Sequence, residues 1–227
     1  MQNPTIISLG GSLVAPDAPD TVFIREFRAL IETRVARGET FIIIVGGGKP
    51  ARRYQEAAKE LGVSEQDSLD WVGIYATRLN AELMRVSFGR KVHGEIITDP
   101  SVLPQVNLQI AIGAGWKPGW STDFDAVEMA MTVGAKRVAN LSNIDYVYTA
   151  DPKKFPDAKK IERASWKEFR AILPAEWSPG VNAPFDPIAA KRAEEIGLEV
   201  AIMNGKPLDN LVKYLAGEAF KGTVIKG

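Results

Sequence analysis

Two glycine clusters stand directly behind apolar runs. Gly10-Gly11-Ser12 follows Thr5 to Leu9, and Gly46-Gly47-Gly48-Lys49 follows Phe41 to Val45. A helical pattern begins behind each. Glycine lets backbone N–H groups approach an oxyanion closely, and the helix N-terminus adds free donors and a favourable dipole. Either cluster alone is equally well a plain turn. Two in one chain suit a reaction that joins two phosphate-bearing molecules. Arg52, on the first turn of the helix behind the second cluster, has the planar fork that grips phosphate with paired hydrogen bonds. Neither cluster has the G-x-x-x-x-G-K-S/T spacing of a P-loop or the G-x-G-x-x-G of a dinucleotide site.

Two further segments carry chemistry-bearing side chains. Gly119-Trp120-Ser121-Thr122-Asp123 brings hydroxyls and an acid to the start of a helix. These are ordinary N-cap residues. The same hydroxyls also suit a transferring phosphoryl group, with Asp123 ordering the cationic groups around it. From Asn143 to Lys154, tyrosines, carboxylates and lysines share one loop. That composition fits a hairpin with a solvated charge run. It also fits a nucleotide, because tyrosine stacks on a base, Asp accepts from ribose hydroxyls and Lys meets phosphate.

The elements that must position these residues alternate. Strands are expected over Thr5 to Leu9, Phe41 to Val45, Leu108 to Ile112, Val138 to Leu141 and Val200 to Met203. Helical spacing runs through Phe23, Phe27, Leu30, Ile31 and Val35, then through Ala51, Tyr54, Ala57, Ala58 and Leu61. Further helices are expected from Ser68 to Phe88, from Asp123 to Val133, from Asp186-Pro187 to Gly197, and near Leu208 to Leu215. Strands alternating with helices predict an α/β fold, a three-layer αβα sandwich with a mainly parallel central sheet. The Pro- and Gly-rich stretches at 113–119 and 178–187 are read as site loops rather than linkers.

The bulk composition narrows the classes. With 227 residues the chain can bury a sizeable core, and 45% hydrophobic with 25% charged residues is ordinary for a globular protein. Lys+Arg and Asp+Glu each count 28, so no basic excess points to nucleic acid. Zero cysteines exclude disulfides, thiolate metal sites and cysteine nucleophiles. No stretch is long and apolar enough to span a bilayer, and a cytoplasmic location is expected. His93, the single histidine, reads as an ordinary surface or strand-end residue.

Six segments together resemble the amino-acid-kinase superfamily, and most closely its archaeal-type UMP kinases. They are ISLGGSL at 7–13, IVGGGKPARRY at 44–54, DWVGIYATRLNAEL at 70–83, GWSTDFDAV at 119–127, NLSNIDYVYTADPKK at 140–154 and FDPIAAKRA at 185–193. The resemblance runs almost end to end. It implies ATP-dependent phosphorylation of UMP to UDP, in pyrimidine nucleotide biosynthesis, by direct in-line transfer with Mg²⁺ carried by ATP. It implies roughly an acceptor lobe over 1–115 and an ATP lobe over 116–227, and a hexamer built as a trimer of dimers. It casts Gly46, Gly47 and Arg52 as the clamp on the UMP phosphate. Asp70 is the ribose acceptor, with Gly73 leaving room beside it. Ser121 and Thr122 bridge the acceptor phosphate and the moving group. Gly10, Gly11 and Ser12 lie under the ATP phosphates. Asp145, Tyr148, Asp151 and Lys154 form the adenosine-side loop. Asp123 and Asp186, with Gly11, organise the catalytic centre.

One position departs from the superfamily pattern. Ser8 stands where many members carry a lysine on the transferred phosphate. Lys49, Lys117 and Lys206 are the candidates for the cation that replaces it. Two other readings stay open on the same scaffold. One is a kinase for a carboxylate such as acetylglutamate or aspartate. The other is a nucleotide-binding or oxyanion-storage protein without catalysis.

Overall fold

The computed structural model describes residues 4–105, 109–174 and 183–227. Leu108, expected in the third strand, and residues 178–182 of the second Pro- and Gly-rich stretch lie outside the described residues. In chain order the first half holds β1 (Thr5–Leu9), α1 (Gly11–Val14), α2 (Thr21–Val35), β2 (Phe41–Val45), α3 (Gly48–Glu60), α4 (Gln66–Phe88) and β3 (Ile110–Gly113). The second half holds α5 (Thr122–Val133), β4 (Arg137–Ser142), β5 (Val147–Tyr148), β6 (Lys160–Ile161), β7 (Arg163–Ala164), α6 (Trp166–Ala171), α7 (Pro187–Glu195), β8 (Glu199–Asn204), α8 (Asp209–Ala216) and β9 (Thr223–Ile225).

β1 and β2 are buried along their whole length, as unbroken apolar runs require when helices cover both faces of a sheet. The sheet order is β3-β2-β1-β4-β8-β9-β7. The first five strands run parallel, and β9 turns antiparallel to β8. Alternation along β1 sorts the layers. Ile7 and Leu9 face a core with Phe27, Ile31, Met84 and Leu211, from α2, α4 and α8. Ile6 faces the other core, with Val127, Trp166 and Ala189 from α5, α6 and α7.

This arrangement is the αβα sandwich that the sequence predicts. The segment from Asn143 closes as a two-stranded antiparallel hairpin, β5 against β6, in line with the hairpin reading of its composition. The structure differs from the expectation in two places. The short α1 starts immediately after Gly10, where only a turn is expected. The β9–β7 edge and α6 were not anticipated, because strands of two or three residues are too short to show a period.

The topology also sets where a site forms. After β3 the chain crosses to the opposite side of β1 and adds β4. In an open parallel sheet, the crevice outside the carboxyl ends of the strands at such a reversal is where ligands bind. Both glycine clusters open at those ends.

Candidate active site

The two glycine turns touch through their backbones. A Cβ added at Gly11 would lie 2.1 Å from Gly48 N and 2.5 Å from Gly46 O, and one at Gly46 would lie 2.7 Å from Gly11 N. Gly46 N–H donates to Leu9 O at 2.9 Å, and Gly10 N–H donates to Leu141 O at 2.8 Å. Only glycine permits this approach, and Gly48 also holds φ +66°. No side chain caps α3, so its first-turn N–H groups have no side-chain acceptor. An oxyanion fits there.

α4 holds the second turn and the next loop in place. Asp70, Gly73, Thr77 and Asn80 recur at three- and four-residue spacing, on one helical face. Asn80 Nδ2 donates to Gly46 O at 2.9 Å and Gly47 O at 3.1 Å. Thr77 Oγ1 accepts from Gly115 N–H at 2.9 Å. Arg78 donates to Gly115 O at 3.2 Å and Trp116 O at 3.0 Å. Asp70 accepts from Gln66 Nε2 and from Gly119 N–H, both at 2.7 Å. Gly73 leaves room for Gln55, whose Nε2 would lie 2.7 Å from an added Cβ. In this structure, then, Asp70 ties down a loop and Gly73 lets α3 pack on α4. The sequence reading gave Asp70 and Gly73 to the acceptor and missed Thr77, Arg78 and Asn80. For Thr77 and Asn80 the signal was present as polar residues repeating on the face that the helix buries; Arg78 lies instead on the side of Trp71 and Tyr75.

The 119–123 segment meets Asp186 and Ser8 at the opposite wall. Ser121 caps α5, accepting from Phe124 N–H at 3.1 Å, and donates its hydroxyl to Asp186. Asp186 caps α7, accepting from Ile188 N–H at 2.6 Å and Ala189 N–H at 3.2 Å. Asp123 accepts from Ser8 Oγ at 3.1 Å, Asn140 Nδ2 at 2.7 Å and Asp186 N–H at 3.3 Å. Loss of surrounding water, and next the Asp186 charge, push the Asp123 carboxyl up to about 6. Burial raises Asp186 too. Thr122 opens α5 beside them. Ser8, at the position where many superfamily members carry lysine, thus supplies a hydroxyl to Asp123.

Asp125, one helical turn into α5, is fully buried. One of its oxygens accepts from Trp116 N–H at 3.3 Å, and the other has no partner among the described residues. Burial pushes this carboxyl up to about 8.

On the other side of the crevice, Asp145 accepts from Asn204 Nδ2 at 2.8 Å. Tyr148 lies in β5 opposite Lys160. Asp151 and Lys154 sit in the exposed turn of this hairpin, where Lys154 N–H donates to Asp151 O at 3.0 Å. Ser12 lies on α1 near Gly10. Among the described residues no hydrogen bond joins the hairpin to Gly10–Ser12; the link is the Gly10–Leu141 bond at the end of β4.

The cations are arranged unevenly. Arg52 is exposed and forms no ion pair among the described residues. Lys49 lies 4.0 Å from Asp17, which also pairs with Arg53. Lys206 Nζ donates to Asp20 at 2.7 Å. Lys117 rests between Trp116 and Trp120, 4.2 and 4.4 Å from their ring centroids. No group of three or more potential metal-binding side chains occurs among the described residues.

The geometry is two glycine turns in backbone contact at the carboxyl ends of β1 and β2, with the hydroxyls and carboxyls of Ser8, Ser121, Asp123 and Asp186 joined in one hydrogen-bonded cluster. The sequence profile of the Amino acid kinase family matches residues 3–204. The chain belongs to the amino acid kinase family. A uridylate kinase from Archaeoglobus fulgidus is 36% identical over 224 residues, covering 97% of this chain and 98% of that protein. One from Hyperthermus butylicus is 32% identical over 228 residues, covering 100% and 99%. The crystal structure of the Archaeoglobus fulgidus uridylate kinase superposes with a TM-score of 0.83 over 98% of this chain and 99% of that one. The UMP kinase structure from Bacillus anthracis, at 20% identity and a TM-score of 0.80 over 99% of this chain and 96% of that one, shares the fold.

Proposed function

We propose that this protein phosphorylates UMP to UDP with ATP, in pyrimidine nucleotide biosynthesis. The observation that carries this reading is the full-length likeness to the uridylate kinase of Archaeoglobus fulgidus, at 36% identity. The touching glycine turns support it, because they bring two phosphate groups to adjoining backbone sites. UMP enters on the α3 side, its phosphate against Gly46 and Gly47 and the Arg52 guanidinium. Asp70 faces the ribose. Ser121 and Thr122 lie where the acceptor phosphate meets the moving group. ATP, with its own Mg²⁺, lies over Gly10, Gly11 and Ser12, with Asp145, Tyr148, Asp151 and Lys154 around the nucleoside. Roughly, 1–115 forms the acceptor lobe and 116–227 the ATP lobe.

A UMP phosphate oxygen attacks the γ-phosphorus in line. The new P–O bond forms as the bond to the ADP oxygen breaks, and ADP leaves with that electron pair. The attacking oxygen is already anionic near neutral pH, so no strong base is required, and positioning with charge neutralisation supplies the catalysis. Asp123 and Asp186 hold Ser8, Asn140 and Ser121 in a fixed array about the transfer point.

A homo-oligomer, a hexamer assembled as a trimer of dimers, accompanies this reading. Trp71, Tyr75, Leu79 and Val86 support it by forming an exposed apolar line on the outer face of α4. The location is cytoplasmic in this reading. No helix among the described residues is long and apolar enough to cross a membrane.

The test is ADP release from Mg–ATP with UMP, CMP, dUMP, acetylglutamate, aspartate or no acceptor in parallel. Turnover with UMP far above the carboxylates is expected. Turnover with a carboxylate alone would overturn the acceptor, and ATP binding without any turnover would overturn the enzyme.

A further inference from the structure

Polar side chains from three separate segments form one hydrogen-bonded chain along the crevice. Asp145 accepts from Asn204 Nδ2 at 2.8 Å. Asn204 Oδ1 accepts from the Lys206 backbone N–H at 3.0 Å. Lys206 Nζ donates to Asp20 Oδ2 at 2.7 Å and lies 5.2 Å from the Phe23 ring centroid. Asp20 uses its other oxygen to cap α2 through Phe23 N–H at 2.9 Å. The chain begins ahead of the β5–β6 hairpin and ends at the N-terminus of α2.

Lys206 follows β8 at the carboxyl end of the sheet, where Gly205 N–H donates to Ser142 O at 2.9 Å. Its neighbour Gly205 packs so closely on α1 that an added Cβ would lie 2.3 Å from Leu13 Cδ1, and α1 opens on Gly11 and Ser12. The other two lysines considered for the missing cation are engaged elsewhere. Lys49 leans towards Asp17 beside the acceptor turn, and Lys117 is held between indoles beyond β3. The Lys206–Asp20 pair is half open to solvent, with side chains 44% and 25% exposed. Such a pair is weak and readily exchanged. A lysine on a four-carbon stem can swing to another anion, and a phosphate group accepts from it more strongly than an exposed carboxylate.

We propose that Lys206 is the cation that meets the polyphosphate of ATP, exchanging the Asp20 carboxylate for a phosphate oxygen, with Asp20 as the internal competitor. This deepens the kinase reading and rests on it. It supplies the positive charge that Ser8 does not.

The test measures binding of a Mg²⁺-bound non-hydrolysable ATP analogue by calorimetry, with steady-state kinetics alongside, on the full chain and two variants. Lys206→Met is expected to weaken analogue binding roughly tenfold or more, the scale of a lost hydrogen bond to a charged group. Asp20→Asn keeps the helix cap but removes the competing charge, so it is expected to tighten binding by about two- to fivefold, the scale of an exposed ion pair. KM for UMP should move by less than about twofold in both. Opposite shifts of the two variants support the exchange. Equal loss in both, or no change in either, in a chain that still turns over UMP, would leave Lys206–Asp20 as a structural bridge and overturn the proposal alone. Failure of the unaltered chain to bind the analogue would overturn the kinase reading beneath it.

Discussion

At the scale of single residues, the side chains that carry charge are where geometry and chemistry part most clearly. Arg52 is exposed without an ion pair among the described residues, so its removal frees no buried partner. Arg52→Ala should therefore leave stability unchanged and raise KM for UMP roughly ten- to a hundredfold, with much less effect on KM for ATP. Equal loss for both substrates in steady-state assays would remove it from the clamp. Asp125 behaves in the opposite way, because it is buried. Its carboxyl is pushed from 3.8 to about 8 by burial, so the fold favours the neutral form. The stability that this provides is fully present below about pH 4 and is lost as pH rises through about 8. Asp125→Asn can still accept from Trp116 N–H and cannot ionise. Its melting temperature should match that of the unaltered chain below about pH 4 and exceed it by a margin that grows to several degrees near pH 8. Parallel melting curves across that range would sink the assignment. The sequence showed Asp123 and Asp186 as N-cap acids with a second use, and Ser8 as an absent lysine. It did not show that Ser8 and Asn140 both donate to Asp123, since partners 115 and 17 residues apart leave no local pattern.

At the scale of elements, α4 frames the Gly46–Gly47 turn, the acceptor side in the proposed reading. Its inner face pins the Gly46–Gly47 turn through Asn80, and the 115–119 loop through Thr77, Arg78 and Asp70. Asn80→Ala would leave two carbonyls without their side-chain donor, at a cost of about 1–3 kcal/mol. KM for UMP should rise while ATP-analogue binding stays close to normal; an unchanged KM would mean that the turn holds itself. Gly11→Ala tests the contact between the two turns. A methyl group 2.1 Å from Gly48 N forces backbone apart from backbone, so both substrates should be lost together, and a variant that keeps either one would contradict the shared origin of the two sites. Long periodic elements such as α2 and α4, and continuous apolar strands such as β2, were legible because burial imposes a repeat on many residues. Four-residue α1 and two-residue β7 were not, because tertiary contacts rather than local pattern decide such short pieces.

At the scale of the whole molecule, sequence alternation dictated a parallel sandwich. The strand order, and hence the crevice between β1 and β4, came from which faces pack together. One feature of the surface bears on the proposed oligomer. Trp71, Tyr75, Leu79 and Val86 lie on the outer face of α4 at 39%, 64%, 72% and 53% exposure, spaced so that they form one line. The Arg78 guanidinium lies 5.6 Å from the Trp71 and Tyr75 ring centroids, so this line joins directly to the group that holds Gly115 and Trp116. The Glu82–Arg85 ion pair lies between Leu79 and Val86 on the same helix, and an exposed face of this mixed kind suits contact with another protein surface. If copies of the chain bury it against one another, Leu79→Glu places a charge at its centre without disturbing either core. Light scattering should then show the assembly of the unaltered chain falling to smaller species. The same helix holds the acceptor turn on its inner face, so dissociation should also raise KM for UMP while leaving ATP-analogue binding nearly intact. An unchanged mass for Leu79→Glu would exclude this face from the assembly, and a lower mass with unchanged KM would show that the inner face of α4 keeps its order without a partner on the outer one.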